Sequence, residues 1–489
     1  MKNALVVGAG VAGLAAAVRL RLLGYEVQVF EANAYPGGKL SVFEQDGYRF
    51  DAGPSLFTMP HLITELIEEA GKKPEDYFEY LKVDEACRYF WDDGTHFTAW
   101  SLAHDFAKEA EKALGEPASN TLAYLQESAF LYNTTRALFL ESSLHKVSSY
   151  FRKEVLPALF AIHRLHLGGN LNQLNQKRFK TPKMAQLFNR FATYNGSSPY
   201  LSPGVMQIIP HLEHNIGTFY PQKGMYAITQ ALYNLGLDLG VCYHFNTPVK
   251  QILVQKGRAI GIQTPNETLK AKVVLSNADV HTTYRKLLPG QKAPERILRQ
   301  ERSSSALIFY WGINRVFNNL GLHNIFFSNH YEQEFEAIFK NKTSSGDPTV
   351  YVNITSKYTP TDAPPGCENW FVMVNVPGDF GQDWSQLTQL IRQKTLERLN
   401  VVLGVKLEDH IVSESILDPP TIEAKTSSYR GALYGTSSND PLSAFFRHPN
   451  FSSQIKGLYF AGGSAHPGGG IPLCMLSAKI ATQLIAQNP

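Results

Sequence analysis

Apolar and polar positions change period several times along the chain, and each change marks an element. Ala4 to Val7 is a short unbroken apolar run, as in a strand buried on both faces. Leu14 to Leu23 then switches to helical spacing, Gly24 stops it, and Val27 to Phe30 forms a second buried strand ending at Glu31. Farther along, "SLAHDFAKEAEKALG" predicts an amphipathic helix with alternating acid and base on its wet face. "VCYHFNTPVKQILVQKGRAIGIQT" alternates as a hairpin with Lys256-Gly257 at the turn, and "LKAKVVLSNADV" adds a strand ending at Asn277-Ala278. The runs "SSSALIFYWGIN" and "ENWFVMVNVP" predict strands, and "LTQLIRQKTLERLNVVLG" a helix of the same sheet-plus-helix region. A last strand, "GLYFAGG", leads to a helix opening at Ile471-Pro472, where proline suits the first turn.

These elements divide the chain into five intervals: 1–75, a helix-rich 76–215, a turn-helix-hairpin region 216–290, a sheet-plus-helix region 291–420, and 421–489. A chain of 489 residues is too long for one simple core, so two or three interleaved lobes are expected. Composition adds mainly exclusions. A net charge of +3 gives no sign of a nucleic-acid partner. The four cysteines form no CxxC pair, which points to a reducing compartment and to neither a disulfide framework nor a metal site. The apolar N-terminal run is interrupted by Arg19 and Arg21, and there is no charge-free apolar run of about 18 residues, so no spanning helix is predicted. The expected protein is soluble or lies on a membrane surface.

The first chemistry lies in "NALVVGAGVAGLAAAVRLRLLGYEVQVFEANAYPGGKL". Gly8, Gly10 and Gly13 satisfy G-x-G-x-x-G between a strand and a helix. Gly8 makes the turn, Gly10 admits a pyrophosphate to the backbone, and Gly13 allows close helix–strand packing. The free N–H groups and positive dipole end of the helix face the phosphates. Glu31, at the end of the second strand, would accept hydrogen bonds from ribose hydroxyls and repel a 2′-phosphate. A dinucleotide site is expected. Downstream, Gly37-Gly38 followed by Lys39 resembles the glycine doublet of FAD enzymes of the glutathione-reductase-like superfamily, whose loop adds contacts to the diphosphate side of FAD.

Three blocks carry a closer resemblance: "VVGAGVAGLAAAVRL…VFEANAYPGGKL…FDAGPSLFTMP", "FNRFATYNGSSPYLSPGVMQIIPHLEHNIGTFYPQKGMYAITQAL" and "GLYFAGGSAHPGGGIPLCMLSAKIA". Together they resemble the bacterial carotenoid desaturases, the phytoene-desaturase-type FAD oxidoreductases, over essentially the whole chain. "YNGSSPY", "IPHLEH" and the C-terminal block are most similar to the hydroxycarotenoid 3,4-desaturase branch. The resemblance implies an α/β fold: a Rossmann-like FAD-binding domain built from 1–75, 216–290 and 421–489, an inserted substrate domain at 291–420, and a helical lid or membrane-contact region at 76–215. It implies non-covalent FAD bound by Gly8, Gly10, Ala12, Gly13, Glu31 and Ala32, by Gly38, Lys39, Leu40 and Ser55, by Val249 and Asn277, and by Gly463, Ser464, Gly470 and Ile471. Lys39 replaces the Arg of many relatives, Lys223-Gly224 a glycine pair, and Ser464 an Asp that bonds the ribityl chain in the wider superfamily.

The implied reaction is hydride loss from a carotenoid C–H bond to flavin N5, with C3–C4 desaturation of a 1-hydroxycarotenoid or γ-carotene-type substrate as the expected outcome. Phytoene desaturation proper, or an FAD amine or protoporphyrinogen oxidase of the same fold, is the alternative. His466 could take the proton or brace its loop. Cys474, between Leu473 and Met475, reads as a packed helix residue and not a flavin attachment point. The resemblance leaves oxygen or a quinone as electron acceptor. A lipophilic substrate implies contact with a membrane surface, at the inner face of the cell membrane for a cytoplasmic protein. "NQKRFKTPKMAQLFNRFATY" and "YFRKEVLPALFAIHRLHLGG" mix basic and apolar residues as interfacial helices do, and each reads equally as a lid packed on its own domain.

Overall fold

The computed structural model describes residues 2–487, with every side chain in that range except those of Leu159, Phe160, Ile162, Leu442 and Ala444. The N-terminal pattern folds as β1 (Lys2–Val7), α1 (Val11–Leu22) and β2 (Tyr25–Phe30). β1 and β2 pair in parallel in the middle of a five-stranded sheet, with Cys242–His244 beyond β2. On the other side of β1 come Val273–Ser276 and then Leu458–Phe460. All four pairings are parallel, and the strands come from three distant parts of the chain. Such a sheet must be covered on both faces. α1 and the last helix, Ile471–Ala486, cover one face with Leu14, Val18, Met475 and Ile480 in a single core.

The predicted hairpin is present as Gln251–Gln255 and Arg258–Gln263, with Lys256 (φ 48°) and Gly257 (φ 72°) in its turn. Positive φ at both turn residues matches the right-handed twist of the strands. Val249 lies before the hairpin, outside any strand and half-exposed. Just upstream, Thr247 N–H donates to the Glu31 carbonyl.

A second sheet has seven strands, in the order Ile411–Leu417, Ser305–Ile313, Glu368–Val376, Val350–Ile354, His323–Phe326, Glu85–Phe90 and His96–Trp100. Its last two strands come from the interval 76–215, so that interval is not purely helical. "ACRYFWDDGTHFTAW" alternates around an Asp-Gly turn, and this hairpin adds to the sheet edge by pairing parallel to His323–Phe326. Period-2 alternation sorts the two faces. Phe309, Trp311, Trp370 and Val372 pack under the helix Trp384–Leu403 with Leu396 and Leu399. Tyr310, Tyr351, Tyr89 and Phe371 face the other way, against Met184, Phe188 and Phe191.

That second contact involves one of the two interfacial candidates. In "NQKRFKTPKMAQLFNRFATY", Phe179, Met184, Leu187, Phe188 and Phe191 are all buried in the domain's own core. Through these side chains the stretch packs on its own domain, and they have no surface left for lipid. In the 147–167 region Val147 is 73% exposed, Phe151 81%, Leu156 46% and Leu167 41%.

Candidate functional site

The strand–helix turns at both ends of the chain meet over the parallel sheet. At the first, a Cβ on Gly13 would lie 2.2 Å from the Gly8 carbonyl oxygen, and one on Gly10 would lie 2.7 Å from Asn277 Oδ1. No side chain larger than hydrogen fits there. α1 starts at Gly10 with no capping side chain and no acid in its first turn, so its N-terminal N–H groups are open to an anion. Ala12 is buried within that turn. Glu31, 7% exposed, closes the far end of the turn. Its Oε2 accepts from Ala9 N–H at 2.8 Å, and its Oε1 accepts from Asn33 N–H at 2.9 Å and Asn33 Nδ2 at 3.0 Å. A carboxylate offers about four acceptor positions, so capacity remains for a ribose hydroxyl. Ala32 beside it is exposed, placing this end of the groove at the surface.

The Gly37–Leu40 loop lies against the first turn. Gly37 N–H donates to Ala9 O, and a Cβ on Gly38 would touch the Gly10 Cα at 3.4 Å. The Leu40 side chain is in the core, so only its backbone borders the groove. Lys39 reaches away from the first turn. Its Nζ donates to the carbonyls of Ala432 and Leu433, each at 2.8 Å, and burial lowers its pKa to about 8. Lys39 thereby ties the N-terminal loop to the C-terminal segment.

Asn277 stitches the two glycine turns together. Its Nδ2 donates to Ala461 O at 2.8 Å, and its side chain fills the space that a Cβ on Gly10 or Gly462 would need. Ser464 Oγ accepts from Val280 N–H at 2.9 Å, which holds the same two loops together.

Beyond Ser464, the run Gly468-Gly469-Gly470 has three different causes. A Cβ on Gly468 would lie 3.1 Å from Arg447 Nε, and one on Gly469 would lie 2.7 Å from the Tyr434 Cα. Those two glycines answer to protein neighbours. Only Gly470, at φ 101° with no atom within 4 Å of its Cβ position, borders open space. With half-exposed Gly463 it forms the part of this run that faces the groove. The helix then opens at Ile471, again with no capping side chain and no acid in the first turn. Two uncapped helix starts, glycine backbones that exclude side chains, and Glu31 with spare acceptor capacity fit a dinucleotide with a polar end and a flat ring system.

His466 is 1% exposed. Its Nε2 donates to the Ser142 carbonyl at 2.9 Å, because a carbonyl can only accept. Nδ1 is then the basic atom, and burial lowers the imidazole pKa to about 3. The ring therefore stays neutral near pH 7 and ties the glycine run to the chain at Ser142. Cys474 lies one turn into the last helix, and burial raises its thiol pKa to about 11. The Lys223 expectation also finds its place. Lys223 is exposed at φ 68°, while Gly224 packs on Asp51, whose carboxylate accepts from Met225 N–H (2.8 Å) and Tyr226 N–H (3.1 Å).

Ser55, expected at the cofactor, is joined to groups of the second sheet that sequence reasoning missed. Its Oγ lies 2.8 Å from the Tyr351 hydroxyl, which lies 2.8 Å from His323 Nδ1. Arg190 and Glu213 form a buried ion pair at 3.0 Å in the same lobe. Nothing in the local spacing of these residues announces them, because the pairs are far apart in sequence. A cavity of about 650 Å³ opens between the helices Pro182–Asn189 and Tyr331–Glu336, lined in part by Trp91, Lys183 and Tyr331. It belongs to the edge of the second sheet and contains none of the glycine-turn residues.

Comparison with known proteins adds four findings. The sequence pattern of flavin-containing amine oxidoreductases matches residues 11–486. The chain is 53% identical over 485 residues to a 1-hydroxycarotenoid 3,4-desaturase of Flavobacterium sp. (strain P99-3), covering 99% of each chain. It is 32% identical over 495 residues to a 4,4'-diapolycopene oxygenase of Methylomonas sp., covering 100% of this chain and 98% of that one. Among solved structures, an oxidoreductase from Methanosarcina mazei superposes with a TM-score of 0.65 at 15% identity, over 99% of this chain and 100% of that one, which speaks for the fold alone.

Proposed function

The chain belongs to the flavin-containing amine oxidoreductase family, and we propose that it is an FAD-dependent carotenoid desaturase forming the C3–C4 double bond of a 1-hydroxycarotenoid. The observation that carries this reading is the 53% identity to a 1-hydroxycarotenoid 3,4-desaturase along 99% of both chains. FAD, when bound, would supply an acceptor for a hydride, which carries the two electrons, while a proton leaves the neighbouring carbon.

This chain's residues bind and orient. The α1 N-terminus and the Gly8–Gly13 turn would hold the diphosphate, Glu31 the adenosine ribose, and Gly463, Gly470 and Ile471 the flavin end. The N-terminal N–H groups of the last helix favour negative charge at that end. Alignment of one C–C bond over the acceptor can supply several kcal/mol of the barrier. The aromatic face of the seven-stranded sheet supplies an apolar, water-excluding wall for that alignment. His466 acts as a brace, since a neutral imidazole with a pKa near 3 and its N–H on Ser142 makes a poor base.

The substrate dissolves in lipid, and no helix among the described residues is long and apolar enough to cross a membrane. We assign surface docking to the 147–167 region, where Val147, Phe151, Leu156 and Leu167 stand exposed beside Arg152 and Lys153. Phe446 is also exposed, and its ring is 6.4 Å from His145. His145 in turn lies 5.9 Å from His466, so the patch adjoins the glycine run and could pass substrate to it. Electrons then leave to oxygen or a membrane quinone. Supplying phytoene, lycopene, γ-carotene and a 1-hydroxylated carotenoid separately tests the assignment. A new double bond at C3–C4 of the hydroxylated compound is expected, and conversion of phytoene alone would overturn it.

A further inference from the structure

Ser55 follows the segment that packs on the Gly37–Leu40 loop, where Ala52 N–H donates to the Ser41 carbonyl. It is half-buried and lies two residues past Gly53, whose Cβ position comes within 1.8 Å of the Lys39 carbonyl. Behind Ser55 a line of polar groups runs into the seven-stranded sheet. Asn353 Nδ2 donates to the Leu322 carbonyl at 2.9 Å and approaches His323 Nδ1 at 3.2 Å. A neutral imidazole Nδ1 has one hydrogen or one lone pair, so it makes one full hydrogen bond, and the Tyr351 hydroxyl at 2.8 Å is the nearer partner. The Tyr351 hydroxyl in turn pairs with the Ser55 hydroxyl at 2.8 Å.

The chain links Ser55, Tyr351 and His323, and it leaves Ser55 Oγ with hydrogen-bonding capacity beyond its bond to Tyr351. The far end is unusual too. His323 is 2% exposed, and its Nε2 has no partner among the described residues. A buried polar atom of that kind calls for a functional reason. Burial also keeps the imidazole neutral, lowering its pKa to about 4, which agrees with the single-proton tautomer.

We propose that Ser55, oriented by Tyr351 and His323, is the binding site for the tertiary alcohol of the substrate. The inference rests on the hydroxycarotenoid reading and gives it a discriminating residue. In a 1-hydroxycarotenoid the hydroxyl carbon is two C–C bonds from the nearer reacting carbon, so its partner has to lie close to the acceptor end of the groove. An alcohol carried into an apolar channel without a partner gives up its hydrogen bonds to water with nothing in return. A hydroxyl with one bond committed to Tyr351 keeps capacity for an alcohol O–H and offers nothing to a hydrocarbon. Positioning falls to Tyr351 and His323, which touch the substrate only through Ser55.

The test uses purified holoenzyme and two acyclic carotenoids that differ only in the C1 hydroxyl. kcat/KM is measured for each, and binding of each is followed by quenching of tryptophan fluorescence. Wild type is expected to favour the hydroxylated compound. Ser55→Ala and Tyr351→Phe should each lower that preference at least tenfold, mainly through KM and with the same loss in binding, and Ser55→Thr should restore it. An unchanged preference overturns the proposal, as does an equal loss on both substrates. A fall in flavin content in Ser55→Ala also overturns it, because Ser55 then serves the cofactor. If wild type oxidises neither carotenoid, the desaturase reading fails, and the binding preference still decides whether Ser55 recognises the alcohol.

Discussion

The glycine turn at Gly8–Gly13 and the glycine run at Gly462–Gly470 do similar work by different means. Each follows a strand of the same parallel sheet, and each delivers an uncapped helix start to one groove. The first turn is constrained from within at Gly13, which faces the carbonyl of Gly8, and by one remote residue, Asn277, at Gly10. The second is constrained from outside. Asn277 presses on Gly462, Arg447 on Gly468 and Tyr434 on Gly469, and His466 is pinned by Ser142. A motif whose causes lie within a few residues can be recognised by its spacing. One held by remote neighbours shows glycines without showing why they are there.

The largest effect should come from filling the internally constrained turn. Gly13→Ala places a methyl 2.2 Å from the Gly8 carbonyl, and overpacking of this kind costs about 1–3 kcal/mol or more. We expect protein isolated without flavin, with a melting temperature lowered by several degrees. Gly468→Ala, which meets the Arg447 guanidinium at 3.1 Å and carries φ 143°, should retain part of its flavin. Flavin absorbance per chain measures both, and equal losses would erase the contrast between the two turns.

A smaller effect is expected at the lipid patch. Val147→Ser together with Phe151→Ser should reduce co-sedimentation with anionic liposomes severalfold while leaving flavin content unchanged. Substituting Lys177 and Lys183 in the buried-face lid stretch should change it little. The opposite ranking would return the docking role to that stretch.

The smallest effect is on pH dependence. His466 has a folded pKa of about 3 against an ordinary 6.5. Between those values the unfolded chain takes up a proton that the folded chain refuses. The stability linked to this histidine is present above pH 6.5 and is lost as pH falls toward 3. His448 behaves alike, at about 3, and His214 and His323 at about 4. Urea midpoints measured from pH 7 down to pH 4 should fall, and His466→Gln should make that fall shallower. An identical slope would show that His466 titrates normally.

The same division governs how much could be read from the sequence. β1, α1, β2, the Lys256-Gly257 hairpin and the long helix Trp384–Leu403 follow from periodicity and turn residues, because their causes are local. The strands Glu85–Phe90 and His96–Trp100 alternate visibly, yet their place beside His323–Phe326 depends on a partner more than 200 residues away. Likewise, "NQKRFKTPKMAQLFNRFATY" has an interfacial composition, and only packing shows that Phe188 and Phe191 are at 0% exposure. At the candidate site, Gly8, Gly10, Gly13 and Glu31 were legible. The Lys39 tether to Ala432 and Leu433, the Asn277 stitch and the Ser55–Tyr351–His323 chain each require the folded molecule.

Anaerobic titration of the flavin-loaded protein with a 1-hydroxycarotenoid tests the central claim most directly. Bleaching of the flavin absorbance, one flavin per double bond formed, with a longer-wavelength polyene band rising in step, is the predicted result. A flavin that stays oxidised with the carotenoid bound, and bleaches with an amine instead, would contradict it.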